Sequence, residues 1–307
     1  MSSLTPPTAE RVAAPTEERN PATADIDAVP TVEVLRLLNA EDARVPAAVG
    51  AVLPALADVV DETVRRLRAG GRVHYFGAGT SGRVAVMDAA ELIPTFGLPP
   101  GVVAAHIAGG IKALTIPVEG AEDSVAGGAA DAAEVRAGDV VVGLTASGRA
   151  PYVAGALRAG RTAGAYTVLV SANPAAALAD QADVHLGADT GPEAIAGSTR
   201  LKAATAQKLI LNGLSTAAMI ALGHTYSNLM VDLAPTNTKL RGRVLTILTE
   251  ATGLPEDVCA KALADADGEL KTALVCLLGA VAPDQARRAL TAASGQVRAA
   301  LAASART

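Results

Sequence analysis

Five short apolar runs alternate with segments of helical pattern between residues 73 and 187, and this alternation limits the possible folds more than any other feature of the chain. The runs read VHYFG, VVAAHIA, DVVVGL, YTVLVS and ADVHLG, and turn-forming or polar residues bound them. Strands that alternate with helices in this way form a parallel sheet with helices on both faces. The sequence therefore predicts an α/β fold built on a doubly wound, five-stranded parallel sheet.

The sequence on either side of these runs is helical in pattern. Apolar residues recur at spacings of three and four over residues 31–67 and again from residue 199 onward. The first residues are rich in Pro, Ala, Thr and charge, a composition typical of disorder. We expect three parts: a disordered leader over 1–20, a sheet domain with its N-terminal helices over 21–250, and a small helical domain over 251–307.

Charge and composition narrow the classes of partner. A net charge of −5 and a pI near 5.4 argue against nucleic acid as a partner. The N-terminus lacks the apolar core of a signal peptide, and we find no uninterrupted apolar span of about 20 residues. The two cysteines and four histidines lack metal-ligand spacing. We expect a cytoplasmic protein that uses no membrane, metal or other cofactor.

A glycine-rich turn follows the first predicted strand. Gly77, Gly79 and Gly82 form a G-x-G-x-x-G pattern, which often binds dinucleotides. A dinucleotide site also needs a carboxylate at the end of the second strand, and that strand ends in IAGGIKAL instead. Thr80 and Ser81 lie inside the turn, where their hydroxyl groups join the amides of a helix N-terminus. The turn therefore favours a single phosphate group over NAD, with a ligand-free turn as the alternative.

A second turn of the same kind follows the third predicted strand. The segment GLTASGRAPY offers the Thr145 and Ser147 hydroxyl groups and the Gly148 amide at the start of a helix. Either turn alone could be an ordinary helix cap. Because the carboxyl ends of parallel strands share one edge of the sheet, the two turns together predict a sugar-phosphate site.

Several longer motifs, in a fixed order, resemble one family. GAGTSGR, DAAELIPTFG, VEGAEDS, GLTASGRAPY, GSTRLKAATAQKLILN and NLMVDLAPTNTKLR are similar to the N-acetylmuramic acid 6-phosphate etherases of the SIS (sugar isomerase) superfamily. The resemblance implies a SIS sheet, a UBA-like C-terminal domain and a homodimer with its site near the subunit interface. It also implies a cofactor-independent lyase that cleaves a D-lactyl ether to give N-acetylglucosamine 6-phosphate and D-lactate, a step in recovering cell-wall sugar.

The resemblance also implies roles for individual residues. Glu91 would protonate the leaving lactate and Glu122 would remove the proton on C2, although the sequence does not decide which glutamate is the acid and which the base. Because Glu91 lies nearly three helical turns beyond Ser81, we expect it to complete the partner's site. The residues expected to bind the substrate are Gly79, Thr80, Ser81, Ser147, Gly148, Ser198 and Lys202.

Two sequence departures and two alternative functions accompany this hypothesis. Ala90 and Ala150 stand where the family usually carries hydroxyl residues. A sugar-phosphate isomerase on the same fold would share ring opening and C2 deprotonation. A non-catalytic sugar-phosphate sensor would need neither glutamate, so the presence of both Glu91 and Glu122 favours an enzyme. Ser198 has an alternative role as a plain helix cap.

Overall fold

A computed structural model describes residues 14–232 and 238–304. At residues 238–241 and 304 it describes the main chain only. The chain begins with three 3-10 turns, Pro15–Glu17, Pro21–Thr23 and Ile26–Ala28. Two helices follow, α1 (Thr31–Asp42) and α2 (Val45–Arg68). Of the predicted leader, residues 1–13 lie outside the described residues, whereas 14–20 contain buried side chains and belong to the folded unit.

The central sheet has five parallel strands in the order β2-β1-β3-β4-β5. In chain order the strands are β1 (Val73–Gly77), β2 (Val103–Ile107), β3 (Val140–Leu144), β4 (Tyr166–Ser171) and β5 (Val184–Gly187). Tyr75 on β1 pairs with Ala105 and Val142, so β1 lies inside the sheet beside β3. The prediction of a five-stranded parallel sheet is confirmed.

Helices cover both faces of this sheet, as the doubly wound prediction requires. The helices between the strands and after them are α3 (Gly79–Phe96), α4 (Val125–Asp131), α5 (Pro151–Thr162) and α6 (Lys202–Leu222). Tyr75 packs into a core with α2, α3 and α6, whereas its neighbour Phe76 packs into a second core with α5. Successive strand residues point to opposite faces, and both faces are apolar, which explains the uninterrupted apolar runs.

The C-terminal part is helical after a short hairpin. The hairpin strands are β6 (Thr225–Tyr226) and β7 (Leu229–Met230), and the helices are α7 (Thr238–Thr252), α8 (Glu256–Asp265), α9 (Leu270–Gly279), α10 (Pro283–Ala292) and α11 (Val297–Ser304). A third apolar core joins these helices and already includes Val231 and Val244. The predicted boundary at 250/251 therefore falls in the last turn of α7, a helix that packs into this core.

One helical stretch, Thr31–Arg68, is long and apolar enough by length and composition to cross a membrane. Core helices pass the same test, and α2 within this stretch packs Val49, Leu56 and Val59 into the core that it shares with α6. We therefore regard this stretch as weak support for a membrane span.

Candidate functional site

The first glycine turn joins β1 to α3 with little free space. Gly79 has a φ of +53°, a conformation that side chains disfavour. A β-carbon at Gly82 would lie 2.5 Å from Cγ1 of Ile107 and 2.6 Å from the carbonyl oxygen of Gly77. Thr80 and Ser81 occupy the first turn of α3, where main-chain amides have no partner inside the helix. The positive φ at Gly79 and the close packing at Gly82 hold these hydroxyl groups at the carboxyl edge of the sheet.

The second turn, after β3, is fixed by contacts with the chain that follows β4. Gly148 has a φ of +77°, and a β-carbon there would lie 2.3 Å from that of Ala176. The Asn173 side chain donates a hydrogen bond to the carbonyl oxygen of Ser147 at 3.1 Å. The hydroxyl of Thr145 accepts a hydrogen bond from the amide of Ala150 at 3.4 Å. These contacts order the turn, and Thr145 acts within it as a local cap.

The two turns border one cavity of about 330 Å³, because β1 and β3 are neighbours in the sheet. Its described lining includes Gly79, Thr80, Ser81, Thr145, Ser147, Glu122, Glu17, Gly197 and Thr199. None of its described lining residues is Lys or Arg. An anion in this cavity would therefore be held by hydroxyl groups, main-chain amides and helix N-termini.

Glu122 lies between this cavity and a second one. The second cavity, of about 300 Å³, shares Ala78, Gly79 and Glu122 with the first. The main chain of Glu122 is held against α5, because its carbonyl oxygen accepts a hydrogen bond from the Tyr152 amide at 2.9 Å. The next helix, α4, is capped by the Ser124 hydroxyl, which accepts from the Gly127 amide at 2.9 Å. The carboxylate therefore stands on an anchored loop.

The surroundings of Glu122 suit a base. Although the residue as a whole is exposed in the single chain, partial burial of its carboxyl group raises its pKa, and the negative charge of Asp123 raises it further. A carboxylate whose pKa rises toward neutrality becomes a stronger proton acceptor. The cavity thus combines a carboxylate of raised pKa with hydroxyl groups on the two glycine turns.

Glu91 does not meet Glu122 within one chain. It lies on an exposed position of α3 and is absent from the described lining of both cavities. Asp88, one turn earlier, is buried and accepts hydrogen bonds from Tyr75 at 3.1 Å and from Asn212 at 2.6 Å. Asp88 therefore belongs to a buried hydrogen-bond network, whereas Glu91 is exposed in the single chain.

The structure does not bring Lys202 to the cavity. Its side chain is 0% exposed, and its ammonium group forms a hydrogen-bonded ion pair with Glu41 of α1. Glu193 closes the N-terminus of α6 by accepting the amides of Lys202 at 3.0 Å and Ala203 at 2.9 Å. Ser198 also lies outside the described cavity lining, unlike its neighbour Thr199. The ion pair of Lys202 and the carboxylate of Glu193 anchor the start of α6, whose N-cap residue is Leu201 and not Ser198.

Glu17 is the site residue that sequence reasoning missed. It lines the cavity from the first 3-10 turn, in a segment whose composition predicts a disordered leader. A usable signal was Asn20–Pro21, since Asn before Pro favours turn initiation and marks local order.

Among the described residues no group of three or more His, Cys, Asp and Glu side chains could hold a metal ion.

Two hydroxyl-bearing glycine turns, side by side at the carboxyl edge of a five-stranded parallel sheet, define a SIS-type sugar-phosphate protein. The family described as the glucokinase regulatory protein N-terminal SIS domain matches residues 55–161. An N-acetylmuramic acid 6-phosphate etherase of Thermobifida fusca is 64% identical over 88% of this chain and 88% of its own. One from Rubrobacter xylanophilus is 52% identical over 93% of this chain and 95% of its own. The chain belongs to the family of N-acetylmuramic acid 6-phosphate etherases.

Among solved structures, a phosphoheptose isomerase from Francisella tularensis aligns at 19% identity with a TM-score of 0.49, over 62% of this chain and 100% of that one.

Proposed function

We propose that this chain is a carbon–oxygen lyase that cleaves the D-lactyl ether of N-acetylmuramic acid 6-phosphate. The products are N-acetylglucosamine 6-phosphate and D-lactate. The observation that carries the proposal is Glu122, a carboxylate of raised pKa at the border of a cavity lined by Thr80, Ser81 and Ser147. Its family membership supports the same substrate. A phosphorylated sugar of this kind is a cytoplasmic metabolite, so we propose that the protein works in the cytoplasm.

The chemistry begins with the sugar ring, because an alkoxide is too poor a leaving group for direct hydrolysis of the ether. Opening the ring turns C1 into an aldehyde, which acidifies the proton on C2. Removal of that proton pushes electrons from C2 toward C3, and the bond between C3 and the lactyl oxygen breaks. Water then adds to the unsaturated aldehyde at C3. The steps are ring opening, proton transfer, elimination and addition of water, so the scheme is redox-neutral and uses no redox cofactor.

Two acid–base roles follow from this scheme. Glu122 takes the C2 proton, since its raised pKa and its place at the cavity suit a base. The departing lactyl oxygen needs a proton donor, and we assign this role to Glu91. The hydroxyl groups of Thr80, Ser81 and Ser147 hold the 6-phosphate with the amide of Gly79 at the N-terminus of α3. The amide of Gly148 lies in the turn before α5, outside the described cavity lining, and is a second candidate.

The exposed position of Glu91 leads to a proposal about assembly. Met87 lies one turn before Glu91 on the same face of α3 and is 45% exposed, so the exposed surface around Glu91 includes an apolar side chain. We propose that two copies associate through this surface and that the partner subunit's Glu91 reaches the cavity bordered by Glu122. Each dimer then contains two sites, and each site draws one glutamate from each subunit.

Hydrogen exchange tests the reaction and the two roles. N-acetylmuramic acid 6-phosphate is supplied in heavy water, and D-lactate release and deuterium at C2 are followed together. Glu91→Gln should still exchange the C2 proton slowly while releasing no lactate, and Glu122→Gln should do neither. Equal exchange by both variants would overturn the assignment, and the absence of lactate from the wild type would overturn the proposed reaction.

Mixed dimers test the shared site. Neither Glu91→Gln nor Glu122→Gln alone should release lactate at an appreciable rate. If they are denatured and refolded together, half of the dimers are mixed and each mixed dimer has one complete site, so about one quarter of wild-type activity should return. No recovery, in a mixture that elutes as a dimer, would mean that both glutamates act within one chain.

A further inference from the structure

Glu17 brings a second carboxylate to the cavity that Glu122 borders. It lies opposite Gly197, where a β-carbon would be 3.0 Å from its Oε2 atom. Within the part of the chain that the structure describes, the carboxylate of Glu17 makes no hydrogen bond or ion pair. A charged group in this position is available to a bound ligand.

The main chain around Glu17 is fixed by contacts with a distant loop. The carbonyl oxygen of Thr16 accepts the Gly197 amide at 2.9 Å. The Asn20 side chain donates to the carbonyl oxygen of Pro192 at 3.2 Å, and the Thr23 hydroxyl donates to that of Ala194 at 2.8 Å. Thr16, Asn20 and Thr23 are all buried. The segment is therefore anchored on both sides of Glu17, while the carboxylate between these anchors faces the cavity.

The proposed reaction leaves one proton transfer unassigned, and this inference rests on that proposal. Ring opening requires removal of the proton from the hydroxyl group on C1. C1 is bonded to C2, so the group that takes this proton has to share a cavity with Glu122. Glu17 is the other carboxylate among the described residues that line this cavity.

We infer that Glu17 is a third catalytic residue, the base that opens the sugar ring. Its carboxylate takes the proton of the C1 hydroxyl group, the C1–O5 bond breaks, and O1 becomes the aldehyde oxygen. O5 leaves with the bonding pair and takes a proton from water. Because Glu17 is exposed, it returns its proton to water before the next turnover. This step precedes the elimination and involves neither Glu122 nor Glu91.

The product offers a separate measurement of ring opening. The α and β anomers of N-acetylglucosamine 6-phosphate interconvert through the open chain, without loss of the C2 proton or of lactate. Exchange between the two anomers is measured by magnetisation-transfer NMR on sugar labelled with carbon-13 at C1. Wild-type protein should accelerate the exchange, and Glu17→Gln should reduce the saturating rate about a hundredfold. Glu17→Asp should recover part of it.

Glu18→Gln is the matched control, because this neighbouring glutamate is exposed and lies outside the described lining. Its exchange rate and thermal midpoint should equal those of the wild type, and Glu17→Gln should unfold at the same temperature. The inference fails if Glu17→Gln exchanges anomers at the wild-type saturating rate, or changes only the concentration needed for saturation. It also fails if wild-type protein does not accelerate the exchange. A failure here while the wild type still releases lactate overturns only the role of Glu17, whereas the absence of lactate release overturns the lyase proposal itself.

Discussion

The substitution Glu41→Gln removes the charge that balances a fully buried ammonium group. The Lys202 side chain is 0% exposed and that of Glu41 is 7% exposed, so water cannot replace the lost carboxylate. Breaking a buried ion pair from one side costs about 3 to 5 kcal/mol in the free energy of unfolding. The carboxyl group of Glu193 interacts with the charge of Lys202 and would offset part of the lost carboxylate charge. We therefore expect a loss of about 3 kcal/mol.

Thermal and urea unfolding measure this loss. For a chain of this size each kcal/mol lowers the melting temperature by about 2 °C, so Glu41→Gln should melt about 6 °C below the wild type. Asp42→Asn is the matched control: it changes an exposed carboxylate on the next residue and should stay within about 0.5 kcal/mol. The double variant Glu41→Leu with Lys202→Met should recover most of the stability, because an apolar pair needs no compensating charge.

The pH dependence of stability gives a second readout of the same pair. Burial opposes ionisation of Glu41, but the hydrogen bonds of Lys202 and Asn20 and the charges of Lys202 and Arg44 together outweigh it and hold the pKa of Glu41 below its ordinary value of 4.5. The contribution of the pair is therefore complete above 4.5 and disappears as the pH falls through the lowered pKa. Glu41→Gln should lack this dependence. A single variant within about 1 kcal/mol of the wild type would refute the reasoning.

Three further substitutions test the loops around the cavity. Gly148→Ala combines an unfavourable φ of +77° with a contact of 2.3 Å to the β-carbon of Ala176, and calorimetry should show a loss of about 2 to 4 kcal/mol. Gly155→Ala places a β-carbon 2.0 Å from a carbonyl oxygen of α4, so it should displace the loop that carries Glu122 and lower lactate release as well as the melting temperature. Asp123→Asn removes a like charge and should lower the pKa of Glu122, which acts deprotonated. The acidic limb of its kcat/KM profile should therefore move to lower pH, and an unmoved limb would mean that another group sets it.

The fold could be predicted because its signals are local. Tyr75 and Phe76 are adjacent and buried in cores on opposite faces of the sheet, and such pairs produce the continuous apolar runs of a covered parallel strand. The two glycine turns could also be predicted. Gly79 and Gly148 stand next to hydroxyl residues in the sequence, and both adopt positive φ values in the structure. Strand adjacency then brings the two turns to one cavity.

The sequence did not predict the roles of side chains that depend on contacts with residues far away in the chain. The partner of Lys202 lies 161 positions away in the sequence, so neither spacing nor composition indicates that this lysine is buried. Glu17 stands in a segment with the composition of a disordered leader, and its order comes from contacts with residues 192–197. In both cases the tertiary contact, not the local pattern, determines the role of the side chain.

If the cavity binds a 6-phosphate as we propose, the pKa of Glu122 gives a reason why the residues proposed to bind it are neutral. A Lys or Arg beside the bound phosphate would bind it strongly, but it would also stabilise the ionised form of Glu122 and lower its pKa. In the proposed complex the phosphate would instead meet hydroxyl groups among the described lining residues and the N-termini of α3 and α5, whose partial charges act over a short range. Burial and Asp123 then keep the pKa of Glu122 raised, and a phosphate dianion nearby acts in the same direction. If the phosphate binds as we propose, the neutral groups in the described lining would allow one small cavity to hold a dianion while the pKa of Glu122 stays raised.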